Sequence, residues 1–245
     1  MAIPDIAKPA EQAGQTKQGL RYRIDGSIQQ TLLVDLAAGQ TVYSDAGAMS
    51  WMTQSVAMNT HSSGGMGGLL KRALSGATMF IVDFTAQGSE GHVAFSADFP
   101  GKVLPFELDA NQTVIMHKHA FLCAEKSVGL DVFFTRRLGA GLFGGEGFVL
   151  QKLTGPGAVF TELDGDAIEY ALKAGETMRV EPGHVAMFEA SVRFDIEMIQ
   201  GFANVLLGGE GLFLATLTGP GRIWLHSLTP SKVAHRIAAY LPSKG

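Results

Sequence analysis

The stretch Glu146-Gly-Phe-Val-Leu-Gln-Lys-Leu-Thr-Gly-Pro-Gly157 is repeated later in the chain as Glu210-Gly-Leu-Phe-Leu-Ala-Thr-Leu-Thr-Gly-Pro-Gly221, with 8 of 12 positions identical. A weaker match, Glu90-Gly-His-Val-Ala-Phe-Ser-Ala-Asp-Phe-Pro-Gly101, precedes both copies. Each stretch is an apolar and β-branched run that ends in Pro-Gly, which is typical of a strand followed by a turn. We expect Pro156 and Gly157 to occupy the two central positions of a type II turn, where glycine accepts the positive φ.

A second unit also recurs. The segments 36–49, 108–121 and 172–185 align with one another without gaps. Each begins with Leu-x-Ala, then Gly or Asn, then Gln or Glu and Thr, before an apolar run. Self-similarity at a nearly fixed period indicates an array of structural repeats. The chain is therefore predicted to be all-β, with one compact domain over 19–228 made of three strand–turn modules at about 19–103, 104–159 and 160–228.

The two ends of the chain differ from the repeats. Thr229 is a predicted N-cap and Pro230 a first helical residue, and Val233, Ile237, Tyr240 and Leu241 recur at helical spacing. We expect one amphipathic helix within 229–245, packed on the β body. Residues 1–18 contain no continuous apolar core, so a flexible tail is predicted there rather than a signal or transit peptide.

Composition narrows the classes of function. The chain has 245 residues, of which 46% are hydrophobic and 17% charged, and its net charge is −4. This excludes an intrinsically disordered protein and makes nucleic acid a poor electrostatic partner. Cys123 is the only cysteine, which excludes an internal disulfide and a cysteine-cluster metal site. The apolar segment 201–214 is too short and too glycine-rich for a membrane span, so we expect a cytoplasmic protein.

One segment is not explained by the repeats. The stretch from Gly39 to Glu90 is longer than the matching stretches 111–146 and 175–210 in the later copies. The excess, about 16 residues, is assigned to a loop at 62–76, because additions to one repeat usually form loops on a binding face. We expect this loop to contact a protein or an anionic membrane surface, or alternatively to cover an apolar gap between subunits. The candidate residues are Gly64, Gly65, Leu69, Leu70, Lys71 and Arg72.

Three glutamates recur once per module, at Glu90, Glu146 and Glu210. In one interpretation they surround a pseudo-symmetric axis, where they bind a cation or line an opening. In the other they cap backbone donors at a hairpin. Both interpretations make these three residues candidate binding or interface positions.

Other candidate chemistry is weaker. His117-Lys118-His119 places two imidazoles on one face of a strand, but the repeat aligns them with a turn, which favours an exposed polar turn. Gly139-Ala-Gly-Leu-Phe-Gly144 has the glycine spacing of a dinucleotide motif without its strand–helix context. Cys123 aligns with Trp51 and Met187, so a core thiol is predicted. No catalytic motif is present, and we expect no enzyme activity, no cofactor and no metal site.

Several segments resemble the altered-inheritance-of-mitochondria protein family over roughly residues 20–228. They are Tyr22-Arg-Ile-Asp-Gly26, the run 47–52, the glycine-rich segment 64–68 and above all the segment 141–157. The resemblance implies a β-sandwich or barrel fold similar to the tryptophan RNA-binding attenuation protein, duplicated within the chain and assembled as a homo-oligomer. It implies no established activity.

Two hypotheses of function follow. In the first, the protein is a non-catalytic homo-oligomeric scaffold or binding module, with a trimer favoured because exposed strand edges at the ends of an array need a neighbouring subunit. In the second, it is a ligand- or RNA-binding ring resembling a transcription attenuation regulator. RNA is disfavoured because the basic pairs Lys71-Arg72 and Arg136-Arg137 do not recur between modules.

Overall fold

The computed structural model describes residues 11–62, 80–136, 147–198, 213–238 and 240. These residues are predominantly β with one short C-terminal helix, as predicted. Strands β1 (Glu11–Gln15) and β2 (Arg21–Asp25) come first. Three sets of six strands follow: β3 (Thr31–Leu36), β4 (Thr41–Asp45), β5 (Met49–Met52), β6 (Val56–Ser62), β7 (Phe80–Ala86) and β8 (Gly91–Ser96); then β9 (Gly101–Leu108), β10 (Thr113–His117), β11 (Phe121–Glu125), β12 (Gly129–Arg136), β13 (Phe148–Thr154) and β14 (Gly157–Asp164); then β15 (Ala167–Leu172), β16 (Thr177–Val180), β17 (Val185–Glu189), β18 (Arg193–Met198), β19 (Phe213–Thr218) and β20 (Gly221–His226). Short 3-10 turns precede β11 (Lys118–Ala120) and β17 (Pro182–His184), and helix α1 spans Pro230–Ala238.

The strands pair antiparallel in four sheets, with the orders β1-β2-β3-β8-β5, β6-β7-β4-β11-β14-β9, β12-β13-β10-β17-β20-β15 and β16-β19-β18. One rule generates them all. The first, sixth and third strands of a set lie side by side, and so do its fourth, fifth and second strands. The second strand of one set then pairs with the third strand of the next, as β4 with β11 and β10 with β17. We call these two pairings the inter-repeat interfaces.

The turn before each second strand is built in the same way. Its left-handed residue is Gly39, Asn111 or Gly175, with φ of 81°, 66° and 77°. The next side chain folds back to accept a hydrogen bond from the backbone N–H three residues earlier, at 3.0, 2.9 and 2.9 Å; the acceptors are Gln40, Gln112 and Glu176. The recurring Gly/Asn–Gln/Glu pattern in the sequence therefore encodes a turn that ends one strand and begins the next.

The turns before β14 and β20 were predicted correctly in place but not in type. Gly157 and Gly221 have the expected positive φ, at 140° and 143°. These angles lie far from the φ of about 80° that the third residue of a type II turn adopts. The predicted type II turn is therefore wrong. The Gly155–Pro156 and Gly219–Pro220 peptide bonds are cis.

The register of the first repeat also differs from the sequence alignment. In the second and third sets, the residue after Gly157 or Gly221 donates its backbone N–H to a glutamate at the end of the third strand: Ala158 to Glu125 at 2.8 Å and Arg222 to Glu189 at 3.0 Å. In the first set, the corresponding hydrogen bond runs from the backbone N–H of His92, the residue after Gly91, to Thr53 Oγ1, just after the third strand, at 3.0 Å. Gly91, not Gly101, is thus the counterpart of Gly157. With this register the first set is longer than the others by six residues rather than about sixteen.

The core lies between the sheets in three main clusters, one for each set of strands. Alternation along the second strands links them, because Val42 of β4 belongs to the cluster of the first set and its neighbour Tyr43 to that of the second. The N-terminal region contributes as well. Residues 11–15 form β1 rather than part of a flexible tail, and Leu20 and Ile24 are buried in the first cluster.

Helix α1 begins as predicted. The backbone N–H of Lys232 donates to Thr229 Oγ1 at 3.3 Å, and Pro230 is the first helical residue. None of the helix residues is buried, so the expected packing of the helix on the β body is wrong. No helix among the described residues is long and apolar enough to cross a membrane.

Candidate functional site

The inter-repeat interfaces show how one set of strands recognises the next. In the first, Val42 and Tyr43 of β4 lie opposite Glu125 and Ala124 of β11. In the second, Val114, Ile115 and Met116 of β10 lie opposite Glu189, Phe188 and Met187 of β17. The alignment of the repeats maps one interface onto the other without a shift. The register of this pairing is therefore a property of the repeat.

Polar groups reinforce the first interface from both sides. Tyr43 donates through its hydroxyl to the carbonyl of Val128 at 3.0 Å, and Ser44 Oγ donates to the carbonyl of Leu122 at 2.5 Å. Glu125 is only 4% exposed, and its carboxylate accepts from Ala158 N–H and from Thr16 Oγ1 at 2.8 and 2.6 Å. A buried carboxylate with two donors is satisfied and fixes the strand end in place.

Within the described part of the chain, the same strand types lack the inter-repeat partner at the two ends of the array. Among the described residues, β5 is the last strand of the first sheet and β16 the last strand of the fourth. Trp51 of β5 is 53% exposed, whereas Cys123 and Met187 at the matching positions are buried. Arg179 of β16 occupies the position at which Tyr43 of β4 is buried. These two edges are the candidate interaction site of the protein.

Strand β5 also has the shape of the strands that are paired. A β-bulge recurs at one position of the third strand in every set: between Met49 and Trp51 in β5, between Phe121 and Cys123 in β11, and between Val185 and Met187 in β17. A bulge re-aims the side chains of its strand. Its presence in β5 means that the open strand presents its edge as β11 and β17 present theirs.

The surface beside β16 is polar and mixed in charge. It contains a groove of about 360 Å³, lined by Thr177, Arg179, Arg193, Phe194, Asp195, Glu197, Thr216 and Thr218. Arg179 Nη2 lies 3.6 Å from Glu197 Oε1. An exposed pair of this kind contributes little to stability, about 0–1 kcal/mol, and leaves the guanidinium available for other contacts.

Of the three recurring glutamates, Glu90 lies within the described residues. Glu90 lies in the turn before β8, where its counterparts are Pro156 and Pro220, so the interpretation of Glu90 as one of three symmetric carboxylates is wrong. Its side chain is exposed and lies 3.5 Å from Arg21. Glu146 and Glu210 lie outside the described residues, as do the loop candidates Gly64, Gly65, Leu69, Leu70, Lys71 and Arg72 and the glycine motif 139–144.

Three histidines lie close to the second inter-repeat interface, and of these the sequence analysis considered only His117. His117 is buried at the end of β10 rather than part of an exposed turn, and burial lowers its pKa well below the usual range. Burial also lowers the pKa of His226 to about 4, and its Nδ1 accepts from the Asp164 N–H at 3.1 Å. His184 Nδ1 donates to the His226 carbonyl at 2.7 Å. Among the described residues no three ligand-type side chains are placed to hold a metal.

Two buried carboxyl groups, Glu162 and Asp164, lie near the end of β14, close to the segment that connects β8 to β9. Burial, with the charge of Asp98 adding to it, raises the pKa of Glu162 to about 8 and that of Asp164 to about 6. Glu162 Oε2 accepts from Asp98 N–H at 3.1 Å, just before β9 begins. The sequence could have indicated this pair, because Glu162 and Asp164 are acidic residues at alternate positions of a mainly apolar strand.

Cys123 is a buried free thiol, as predicted, and burial raises its pKa.

Comparison with known proteins agrees with this architecture. The family model described as mitochondrial biogenesis AIM24 matches residues 22–228, which confirms the resemblance seen in the sequence. An uncharacterized protein of Streptococcus pyogenes serotype M6 is 30% identical over 233 residues, which cover 91% of this chain and 92% of that protein. A crystal structure of a Streptococcus pyogenes protein superposes with a TM-score of 0.73 at 26% identity, covering 91% of this chain and 100% of that one.

Proposed function

The chain belongs to the mitochondrial biogenesis AIM24 family, and we propose that it is a non-catalytic homo-oligomeric scaffold or binding module whose subunits join head to tail through β16 and β5. One observation carries this proposal. Both inter-repeat interfaces pair a second strand with the third strand of the following set, and among the described strands β16 and β5 are the second and third strands that this pairing leaves over. A strand edge with free backbone groups is a template for pairing with another chain.

The repeat supplies the register of this subunit contact. Applying the same alignment of the repeats to the open strands places Arg179 of one subunit opposite Met52 of the next. It also places Val180 opposite Trp51, which would cover the exposed indole. Antiparallel pairing at these positions reproduces what β10 and β17 do within the chain.

A closed ring satisfies every such edge, and a trimer is the assembly we propose. This ring follows the expectation, drawn from the family resemblance in the sequence, of a fold similar to the tryptophan RNA-binding attenuation protein. The subunit contact is more polar than the two internal ones, because Arg179 replaces a buried Tyr43 or Ile115. We therefore expect a contact that is weaker and more sensitive to salt than the internal interfaces.

Disulfide trapping tests the register. The double variant Arg179→Cys with Met52→Cys places the two cysteines on directly opposed residues, whose Cα atoms in antiparallel strands are about 4.5–5.5 Å apart and within disulfide range. The matched control, Arg179→Cys with Met49→Cys, moves one cysteine to the other end of β5. Native Cys123 does not interfere, since its side chain is fully buried.

We expect covalent oligomers from the first pair, few from the control, and a trimer mass by light scattering of the wild type. A monomer of 26.0 kDa at micromolar concentration, or equal trapping by both pairs, would contradict the proposal.

The same preparation tests the alternative of a ligand- or RNA-binding ring, because bound nucleic acid raises the ratio of absorbance in the nucleic-acid band to that in the protein band. One basic residue considered for RNA, Arg136, already donates to the carbonyl of Ile196.

A further inference from the structure

Helix α1 is amphipathic and carries its apolar side chains in the open. Viewed down the axis at about 100° per residue, Val233, Ile237 and Tyr240, the last in the turn after the helix, fall within an arc of roughly 60°. Ile237 is 54% exposed and Tyr240 is 81% exposed. Val233, at the start of the arc, is half-buried, whereas Ile237 and Tyr240 leave most of the arc exposed.

The first turn of α1 is attached through polar contacts. Lys232 Nζ lies 2.9 Å from Glu181 Oε2 and 2.5 Å from His184 Nε2, beside the turn that precedes β17. These contacts hold the start of the helix beside the end of the sheet where β17 begins and β20 ends. The following residues, Val233 to Ala238, carry the apolar arc away from that attachment.

Charge is segregated in the same region. Residues 211–245 contain four Lys or Arg and no Asp or Glu, although the whole chain has a net charge of −4. Two of the four are ion-paired with glutamates of other elements, Arg222 with Glu189 and Lys232 with Glu181, so Arg236 is the helix cation on which the argument rests. On the helix, Lys232 and Arg236 lie in the arc immediately beside the apolar one, and Arg236 lines a groove with His235 and Tyr240. An apolar arc bordered by cationic side chains is the pattern of helices that lie in the interface of an anionic membrane.

From these observations we infer that α1 is a contact site for an anionic phospholipid surface. Val233, Ile237 and Tyr240 enter the boundary between headgroups and acyl chains, and Arg236 binds lipid phosphate or carboxylate groups. Charge complementarity selects this occupant, because an apolar arc alone fits a neutral protein surface equally well. A single short helix binds weakly, so the vesicle assay needs a wide range of lipid concentrations.

Vesicle co-sedimentation of the full chain tests the inference. One set of vesicles is phosphatidylcholine with about a third phosphatidylserine, and the other is phosphatidylcholine alone. Ile237→Glu places a charge in the apolar arc, and Ser231→Glu adds the same charge on the other side of the helix in its first turn, where an acidic residue suits the helix dipole. We expect wild type and Ser231→Glu to bind anionic vesicles and Ile237→Glu to lose at least about five-fold in bound fraction.

Equal binding to both kinds of vesicle, no binding by the wild type, or equal loss in the two variants would overturn the inference. Native mass is measured for each variant in the same experiment. If Ile237→Glu changes the mass, the apolar arc of α1 contacts a second copy of the chain and not a lipid surface. Because mass and lipid binding are separate readouts, failure of this inference is distinguishable from failure of the head-to-tail proposal.

Discussion

The inter-repeat interfaces and the two ends of the array use the same strand positions in different surroundings. Where the strands are paired, Tyr43 is buried on β4 and Met187 is buried on β17. Where they are not, the corresponding residues are Arg179 on β16 and the half-exposed Trp51 on β5. The backbone plan is kept and only the side chains change. A repeat therefore specifies how its strands pair, while individual residues report whether a given edge is covered within the chain.

The largest expected effect comes from breaking the turn that supports each interface. A Cβ at Gly157 would lie 2.6 Å from Ser127 Oγ and 2.9 Å from Val128 Cγ2, at a φ of 140° that side chains rarely adopt. Gly157→Val should lower the free energy of unfolding by about 3 kcal/mol or more, because steric overlap adds to backbone strain. Gly221→Val should behave alike, since its neighbours Ser191 and Val192 lie at 2.6 and 2.8 Å.

Two glycines serve as comparisons for this experiment, which is read by chemical denaturation. Gly101→Val should also be severe, but for a different reason: its Cβ would overlap with the backbone carbonyl oxygen of Leu163. Gly175→Ala is the mild control, because nothing lies within 4 Å of its Cβ position and only the positive φ is unfavourable, at about 1 kcal/mol. Parental stability in all three valine variants would refute this account of the turns.

The next effect compares two carboxylates at matching positions. Glu125→Ala leaves the buried Ala158 N–H and Thr16 hydroxyl without their acceptor, and we expect a loss of about 2–3 kcal/mol. Glu189→Ala removes an exposed ion pair with Arg222 and a partly solvated backbone contact, so the loss should be below about 1 kcal/mol. Thermal denaturation of the two variants decides this, and equal losses would show that burial does not separate them.

Much of this architecture was predictable from local signals. The turn at Gly39, Asn111 and Gly175 was found because three short-range features recur together: a left-handed residue, a capping side chain and a following apolar run. The register of the first repeat was not predicted correctly. The turn between β7 and β8 is longer than its counterparts, and Glu90-Gly91 matches the Glu-Gly pairs at 146–147 and 210–211, which lie at a different position of the repeat. The sequence alignment matched the Glu-Gly pairs, whereas the hydrogen bond from His92 N–H to Thr53 defines the structural alignment, in which Gly91 corresponds to Gly157.

Exposed edge strands at the ends of the array were predicted, but the particular strands, β5 and β16, were not. An array with two ends must expose strands, and this follows from repetition alone. Which strands these are depends on the order of the sheets, which is set by long-range pairing such as that of β4 with β11. The burial of His117 was not predicted for the same reason: it is covered by residues distant in sequence such as Phe148, whereas its own neighbours are typical of a polar turn.

The pH dependence of stability tests the contributions of two buried groups, Glu162 and His226, which have opposite signs. Glu162 has a pKa of about 8 in the folded chain against 4.5 ordinarily, so the folded state binds more protons between these values and stability falls as pH rises through that window. His226, with a pKa of about 4 against 6.5, has the opposite effect below pH 6.5. Below pH 6 the raised pKa of Asp164, about 6, adds to the effect of Glu162, and the lowered pKa of His117 adds to that of His226. Above pH 6.5 the contribution of Glu162 dominates, and we expect a fall of about 1–2 kcal/mol from pH 6.5 to 8.

Glu162→Gln tests the assignment of this fall. The glutamine retains an oxygen that accepts from Asp98 N–H but has no proton to lose, so the decline above pH 6.5 should disappear. Glu90→Gln makes the same change of charge at an exposed position and should leave the decline in place. A decline that persists in Glu162→Gln would assign it to other groups.

The smallest expected effect is at the open edge itself. Trp51 is half exposed in the single chain, so Trp51→Ala should lower the free energy of unfolding of the dilute chain by less than about 1 kcal/mol. Met187 occupies the matching position within the second interface and is 4% exposed, so Met187→Ala should cost about 2–4 kcal/mol. If β5 pairs with β16 of a neighbouring subunit, Trp51→Ala will also shift light-scattering masses toward the monomer at concentrations where the wild type is assembled. A Trp51→Ala chain as destabilised as Met187→Ala under dilute conditions would mean that the indole is already part of the core, and the contrast between covered and open edges would not hold at this position.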